Sequence, residues 1–516
     1  MPLLSKRRQV VAVEEIVGGT LASGLTSAAN AGFVLTDASA TLDIEAVERN
    51  ILRESLTPVK SSPGQQAAGL TLTTEIAGTS GGAYGDGAPL WGRLLEGCGM
   101  RQAGFQSVAI GAISGGPFQH GELLDCATAG TGAARVVMDT HNGATTILVE
   151  RVGATSITSG ELLTGQSSGA TATSSGAAAN AGFFWSPVSN VVKTMTGAIT
   201  SGTVYKGSLI EGDTSGSRAV VAEDFTTGGP LRFYPVRGGA FTGGETLTII
   251  YEPTAGSAAG LAVGATSNES FFEFPSLSMR FIEDGQAITV AGARGSVSFN
   301  FEVNRPVTAS FTFRGSLNST DDQALISGVS ADAPASPPIW QGSAIGYSGN
   351  ETSGLADLAD ELEPCLTALS LDLGVTLSDR RCAAASTGLE EVLGTARAGT
   401  GSMDPEVTLE ADIPWLSYLK NGTTTRLRVP VGSSDGNRFT FFMPGVQFTG
   451  QSYGDRDGIA TYDLPFNLTG GYHHNVAGSG TQLDVYGGDN ELVRYAARCV
   501  RRRQRVGAAL PCELMT

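Results

Sequence analysis

Alternation of apolar and polar residues is the clearest signal along the chain. Thr41–Glu45, Leu70–Glu75, Ser278–Ile282, Gln286–Val290, Ser296–Val303 and Ala309–Phe313 all alternate. A period of two puts successive side chains on opposite faces of a strand. Ala368–Leu373, Val407–Glu410, Thr425–Val429, Arg438–Phe442 and Ala460–Leu464 repeat the pattern further on. Asp284-Gly285 between two of these runs is a hairpin-turn dipeptide. Two short stretches read instead as helices. In Ala88–Gly97, Pro89 suits a first turn, Leu90, Leu94 and Leu95 share a face, and Gly97 suits a stop; Ile413–Leu419 ends near Asn421-Gly422.

These runs divide the chain. Residues 1–40 form a turn-rich N-terminal arm with apolar patches at Val10–Val13 and Phe33–Leu35. Residues 41–124 and 268–320 read as one β domain, 321–365 as a linker of Asp, Ser, Ala, Pro and Gly, 366–490 as a second β domain, and 491–516 as a tail. The span 125–267 differs in texture, with much Gly, Ala, Ser and Thr, and reads as an inserted β module. Within it Gly160–Ala172 aligns with Gly207–Ala219 through G-x-L-[LI]-x-G-x-[ST]-S-G-x-x-A, 47 residues apart, and a looser copy starts at Gly244-Glu245-Thr246-Leu247. Each copy reads as strand, tight turn, strand. The two β domains also echo each other. Leu70–Glu75 precedes Pro89, Trp91 and a helix, and Val407–Asp412 precedes Pro414, Trp415 and a helix. That order reads as a duplication.

Composition narrows the class. With 70 glycines in 516 residues, 16% charged residues and 41% hydrophobic ones, the chain is too apolar for a disordered polymer and reads as mainly β. Its net charge of −17 repels nucleic acid. There are 28 arginines against 5 lysines. The planar guanidinium holds a carboxylate with two bonds, which suits interface ion pairs. Cys98, Cys126, Cys365, Cys382, Cys499 and Cys512 include no CxxC pair and read as buried thiols. No run approaches 18 apolar residues, and the basic N-terminus lacks an apolar core, so neither a membrane span nor a secretory signal is expected. The expected place of synthesis is cytoplasm, unless a larger particle carries the protein out.

No catalytic constellation emerges. His120, His141, His473 and His474 make no HExxH, and the adjacent pair would point to opposite faces of a strand. Gly165-Gln-Ser167-Ser168-Gly169 matches G-x-S-x-G, but it lies in the repeats, and the sister copy carries Thr214 in place of Ser167. It reads as a turn rather than a nucleophile elbow. There is no phosphate-cradling Walker loop and no GxGxxG. Asp455-Arg456-Asp457-Gly458 lacks the remaining calcium-loop ligands and reads as a turn. No enzyme activity, metal or cofactor is expected. Two basic clusters, Lys6-Arg7-Arg8 and Arg498 with Arg501-Arg502-Arg503 and Arg505, sit near the ends of an acidic chain. They read as docking segments for acidic faces of neighbouring subunits, with nucleic-acid binding through phosphate contacts as the alternative.

A set of short pieces in a fixed order gives the chain a likeness. Asn30–Leu35 ends the arm before a strand with Asp43, Glu45, Arg49 and Arg53. Leu70–Glu75 and a Gly-rich loop then lead into Ala88–Trp91 and Leu94–Met100. Later come Gly292-Ala-Arg294-Gly295, Phe311–Gly315, Leu371–Gly374 and Asp455–Ile459 before Pro465-Phe466. Over roughly 1–105 and 270–470 the chain resembles the tail tube proteins of long, non-contractile-tailed phages. The resemblance implies tandem β-sandwich or split-barrel domains with short helices, whose sheets continue into the next subunit. It implies stacked rings that conduct double-stranded DNA without specific binding. Three chains with two tube folds each would make a pseudo-sixfold ring, with a homohexamer as second choice.

Further partners would be tape measure, terminator and distal tail proteins, within a virion tail assembled in host cytoplasm. Contacts between subunits or rings are then expected at Gly78, Gly82, Tyr84 and Asp86, and at Arg7, Arg8, Arg501, Arg502 and Arg503. Structural turns are expected at Gly292, Arg294, Gly295, Asp457 and Gly458. The insertion would face outward, and the lumen would be acidic. The alternative is a receptor-binding or adhesion protein with carbohydrate-binding β modules.

Overall fold

The computed structural model describes residues 7–15, 19–49, 60–78, 89–138, 140, 144–153, 155–187, 192–196, 199–201, 203–204, 206–222, 225–226, 231–237, 241–242, 244–251, 261–263, 267–271, 275–329, 336–342, 345–348, 364–432, 437–469 and 484–488. The fold is mainly β, with antiparallel pairing throughout and two short helices among the described residues.

The N-terminal part supplies β1 (Arg8–Glu14), the long hairpin β2 (Leu35–Val47) and β3 (Ser62–Glu75), helix α1 (Gly92–Gly97) and β4 (Met100–Ala109). The expected arm thus contains a regular strand, whose Val10, Val11 and Ala12 are buried. Two units follow within the span expected to face outward, and they are called the outer units. The first contains β5 (Leu123–Cys126), β6 (Gly130–Val136), β7 (Thr146–Arg151), β8 (Leu162–Gly165) and β9 (Thr171–Thr173), and β10 (Ala179–Pro187) leads out of it to pair with β4. It has its own apolar cluster, including Phe118, Leu124, Val149 and Leu163.

The second unit contains β11 (Val192–Thr196), β12 (Ile199–Ser201), β13 (Thr203–Val204), β14 (Leu209–Gly212) and β15 (Arg218–Val221). It continues through β16 (Phe225–Thr226), β17 (Leu231–Arg237), β18 (Thr246–Tyr251), β19 (Leu261–Val263) and β20 (Ser267–Phe271). Eight of these ten strands form a separate sheet, while β13 and β16 pair with each other. Ile210, Val221, Phe233 and Leu247 belong to a separate apolar cluster.

The chain then returns through β21 (Leu277–Glu283), β22 (Gly285–Glu302) and β23 (Thr308–Gln323). The last part contributes β24 (Gly346–Ser348), β25 (Ala368–Asp372), the hairpin β26 (Val375–Arg381) and β27 (Leu389–Arg397), and β28 (Thr400–Met403). Helix α2 (Trp415–Asn421), β29 (Thr425–Val431), β30 (Phe439–Phe448), β31 (Ser452–Arg456), β32 (Ile459–Leu468) and β33 (Asp484–Gly488) complete it. Helix α2 ends on Gly422 at φ 62°, where Gly422 N–H and Thr423 N–H reach back to Leu419 and Tyr418 carbonyls. Such a left-handed stop is cheapest for glycine.

One sheet runs through both parts. β2 pairs with β3, β3 with β23, and β23 with the whole of β22. The other edge of β22 is shared by β21 and β25. From β25 the ladder continues through β28 and β32 to β30, which holds β29 along one edge and shares the other between β32 and β33. A single apolar cluster therefore draws on both expected domains, from Leu70, Leu94 and Phe313 to Leu369, Phe441 and Phe466.

Three expectations change. Val407–Glu410 is not a strand: only Glu406 makes a bridge, to Thr461, and Val407 N–H donates to Ala460. Residues 321–365 are not a bare linker, since β23 runs into them and Trp340, 2% exposed, packs edge-on against Phe301. Gly292, Arg294 and Gly295 make no turn between strands but a bulge inside β22, where the register shifts between Ala291 and Arg294.

The bulge has identifiable causes. Gly292 sits at φ 63°, and a Cβ there would lie 3.2 Å from Gly19 Cα and 3.4 Å from Glu391 Cα. Its N–H donates to Glu15 Oε1 at 2.7 Å. Arg294, wholly buried, donates to Glu391 Oε2 at 3.0 Å and to the Val392 carbonyl. Removing one member of a buried pair leaves the other charge desolvated, which costs about 3–5 kcal/mol. Arg294→Met is accordingly expected to lower stability by about that amount in urea unfolding, and Arg294→Met with Glu391→Leu to recover part of it.

Helix α1 is fixed more sterically. Trp91 donates its indole N–H to the Ala77 carbonyl at 2.8 Å, and Trp185 of β10 lies 5.1 Å from Trp91, centroid to centroid. Gly92 faces the Trp185 ring so closely that a Cβ would fall 2.4 Å from it. Gly92→Ala should therefore lower stability by about 1–3 kcal/mol in the same assay, despite the better helix propensity of alanine.

Candidate functional surfaces: a bare sheet edge and a repeated carboxylate turn

The β2–β3 hairpin carries the first candidate. β3 is paired on both edges, by β2 and β23, whereas β2 pairs only with β3 among the described residues. Ala38 and Ala40 of β2 pack on the main core. Leu42 and Ile44 continue the same alternation beyond the core and are each 47% exposed; Val47 is 45% exposed. Among the described residues the strand thus offers both an unpaired backbone edge and apolar side chains to water, the combination that pairs with another chain. The opposite side of β3 is covered: Ala67 packs with Leu389 and Val392 of β27, and Arg314 bridges Asp43 and Asp379 at 2.9 and 3.0 Å. A second uncovered edge belongs to β31, which pairs only with β32 among the described residues and bears Tyr453, 68% exposed.

The sequence-derived contact residues fall differently. Gly78 donates its N–H to Asn437 Oδ1 at 2.8 Å, which joins the Gly-rich loop to the start of β30. Gly82, Tyr84, Asp86, Arg501, Arg502 and Arg503 lie outside the described residues. Arg7 and Arg8 find acidic partners within the chain: Arg7 pairs with Asp284 at 2.6 Å, and Arg8 with Glu283 at 3.1 Å. Asp457 and Gly458, at φ 52° and 86°, form the β31–β32 hairpin turn. Cys98 and Cys126 are buried, but Cys365 is exposed. The exposed apolar pair Leu42 and Ile44 is not among the sequence-derived contact residues; its cue is the apolar alternation from Ala38 to Ile44, which starts before the strand expected at Thr41–Glu45.

The second candidate is a device in the outer units. Glu122 accepts from the N–H of Gln119, three residues before it, and from the N–H of Ser167 and Ser168 in the β8–β9 turn. Glu161 accepts from Thr158 N–H and from Thr128 and Ala129 in the β5–β6 turn. Each hairpin's leading glutamate thus clamps the turn of the other. Glu245 repeats the arrangement, with Thr242, Thr214 and Ser215 as donors. A glycine at positive φ precedes each clamp: Gly121, Gly160 and Gly244 lie at 79–84°, and Gly207 before Ser208 lies at 80°.

Gly165 and Gly212 make room for the carboxylates, since a Cβ at either would lie within 2.7 Å of Glu122 or Glu245. The aligned repeats are therefore clamp and turn together. Gly121-Glu122-Leu123-Leu124 is an unrecognised further copy, identical to Gly160-Glu161-Leu162-Leu163. Ser167 and Ser168 serve in this turn, with Ser168 Oγ donating to Glu122 at 2.9 Å. Among the described residues no group of three or more potential metal ligands is gathered.

Burial pushes the carboxyls of Glu161 and Glu245 upward, but the backbone N–H donors outweigh it and hold both below the usual carboxylate range. A lowered folded-state pKa contributes stability that is present above the unfolded value and lost as pH falls through the folded one. Glu245→Gln is expected to lower stability at pH 7 by about 1–3 kcal/mol. The gap between variant and wild type in urea titrations should shrink as pH falls below the unfolded glutamate value of about 4.3. A gap independent of pH would contradict the clamp. The chain matches no protein-family model and no curated protein.

Proposed function

We propose that the protein is a structural building block of a phage tail tube, joined to further copies of itself through uncovered sheet edges. The observation that carries this reading is the 13-residue β2 strand, whose apolar residues run past the core along an unpaired edge. A contact between two different edges, β2 of one copy and β31 of the next, is heterologous. Heterologous contacts build rings when the rotation closes. Rings with no free lateral edge then stack, and the outer units, each with a core of its own, face away from the channel.

An overall charge of −17 suits a conduit for DNA. Duplex DNA binds basic walls tightly through its phosphates, whereas an acidic lumen lets it pass. The homotrimeric, pseudo-sixfold ring remains the stoichiometry expected here, with the tape measure, terminator and distal tail proteins as neighbours in the virion.

Electron microscopy of the purified protein tests the reading directly. Stacked rings or tubes are expected; isolated monomers, or elongated trimers such as an adhesin would form, would overturn it. Leu42→Lys together with Ile44→Lys should abolish rings while shifting monomer stability by no more than about 0.5 kcal/mol per site, as is usual for exposed positions. Rings that persist in the double variant would remove β2 from the contact.

A further inference from the structure

We propose that Lys206 and Glu96 become joined by an amide bond formed within the chain, with Glu14 as the proton carrier. Three distant segments bring the groups together: Lys206 precedes β14 in the second outer unit, Glu96 lies in α1, and Glu14 ends β1. Lys206 Nζ donates to Glu14 Oε1 at 2.6 Å and contacts the Glu96 carboxyl directly. The side chains of Lys206, Glu14 and Glu96 are only 13%, 17% and 2% exposed. Arg93 stands 3.9 Å from the same Glu14 oxygen.

The two carboxyls are unlike. Burial and the neighbouring Glu14 charge push Glu96 well above the usual carboxylate range. Burial also acts upward on Glu14, but Lys206 and Arg93 prevail and keep it at about 2. The Lys206 nitrogen thus lies between two unlike carboxyls, of which Glu96 is the one displaced toward its protonated form. This matters because a carboxylic acid is open to nucleophilic attack at carbon, whereas a carboxylate repels it.

The step balances. Glu14 takes one proton from the Lys206 ammonium. The free amine attacks the Glu96 carboxyl carbon, forming the C–N bond. The C–O bond breaks, and the departing oxygen leaves as water with its own proton and a second one from nitrogen. Glu14 ends protonated and returns its proton to solvent. Burial pushes Lys206 downward, but Glu14 foremost and Glu96 after it outweigh burial and keep Lys206 mainly as ammonium, so the free amine is scarce; fixed proximity offsets this, since effective molarities of well-oriented groups reach about 10⁵ M or more. Such a reaction need occur only once per chain. The bond would rivet the second outer unit to the body, and it would form in the isolated chain whether or not the protein assembles.

The intact mass of the denatured wild-type protein tests this. One water less than the sequence requires is expected, with trypsin failing to cut after Lys206 and a branched peptide linking it to the Glu96 segment. A full sequence mass with Lys206 in linear peptides would overturn the proposal. Lys206→Arg should restore the full mass. Glu14→Gln, shown to be folded by circular dichroism, should remain unlinked far longer than wild type; equally fast linkage would overturn the role of Glu14.

Discussion

The bulge in β22 is the constraint on which the rest of the fold depends. β22 is the longest strand and lies between β23 on one edge and β21 with β25 on the other. At Gly292 it breaks register and turns its N–H onto Glu15, which also accepts from Ser276, Ser278 and Gly19. Two residues on, Arg294 reaches Glu391 of the β26–β27 hairpin. One local irregularity thus ties the N-terminal strand, the central sheet and the C-terminal part. A buried carboxylate or guanidinium without these partners would cost several kcal/mol. The charges therefore specify which segments meet more than they add stability.

That constraint also explains what could be read from the chain. Alternation identifies strands wherever one face is buried, so the segments around Leu70, Phe281, Phe311 and Phe441 were legible. The two short helices were legible too, through Pro89 with Gly97 and through Gly422. The bulge was not, because Gly292 to Gly295 looks like any turn between two strands; only its partners Glu15 and Glu391, 277 and 97 residues away, keep the strand running on past it. Trp340 was lost in a stretch dominated by Pro, Ala and Ser for a similar reason. A single aromatic has no period, and its burial against Phe301 is a tertiary fact. Val407–Glu410 erred the other way: its alternation is real, but only Glu406 beside it makes a bridge, so no ladder forms.

The outer units follow a different rule. Their cores are small, and much of their order comes from carboxylates that satisfy the N–H groups of tight turns. The clamp explains why the aligned repeats keep Gly, Ser and Gly at fixed offsets beside their apolar Leu162/Leu209, Leu163/Ile210 and Ala172/Ala219 positions. In the second unit Ser208 occupies the place held by Glu122 and Glu161, so the device is half present there. Docking onto the body uses the residue just before the same glycine: His120 lies tilted against Phe442, centroids 5.2 Å apart, and Lys206 meets Glu14. One turn design thus serves both as an internal clamp and as an attachment point.

Charge and edge act at different distances, and their opposition suits controlled assembly. Chains carrying −17 repel one another, but screening confines that repulsion to about 8 Å at physiological salt. Within that range a strand edge offers directional hydrogen bonds and Leu42 and Ile44 offer apolar area, both of which act only at contact. A free chain is therefore kept from indiscriminate pairing while a correctly oriented neighbour is not. Acidic residues on β2 itself, Asp37, Asp43 and Glu45, sharpen the selection, since a wrong register sets like charges against each other. Arg314, already bound to Asp43 and Asp379, leaves the acidic side of the strand partly neutralised on the inner side of the hairpin. Under the proposed assembly the edge would thus be guarded by charge rather than by cover, and a neighbour would have to satisfy register, charge and apolar contact together.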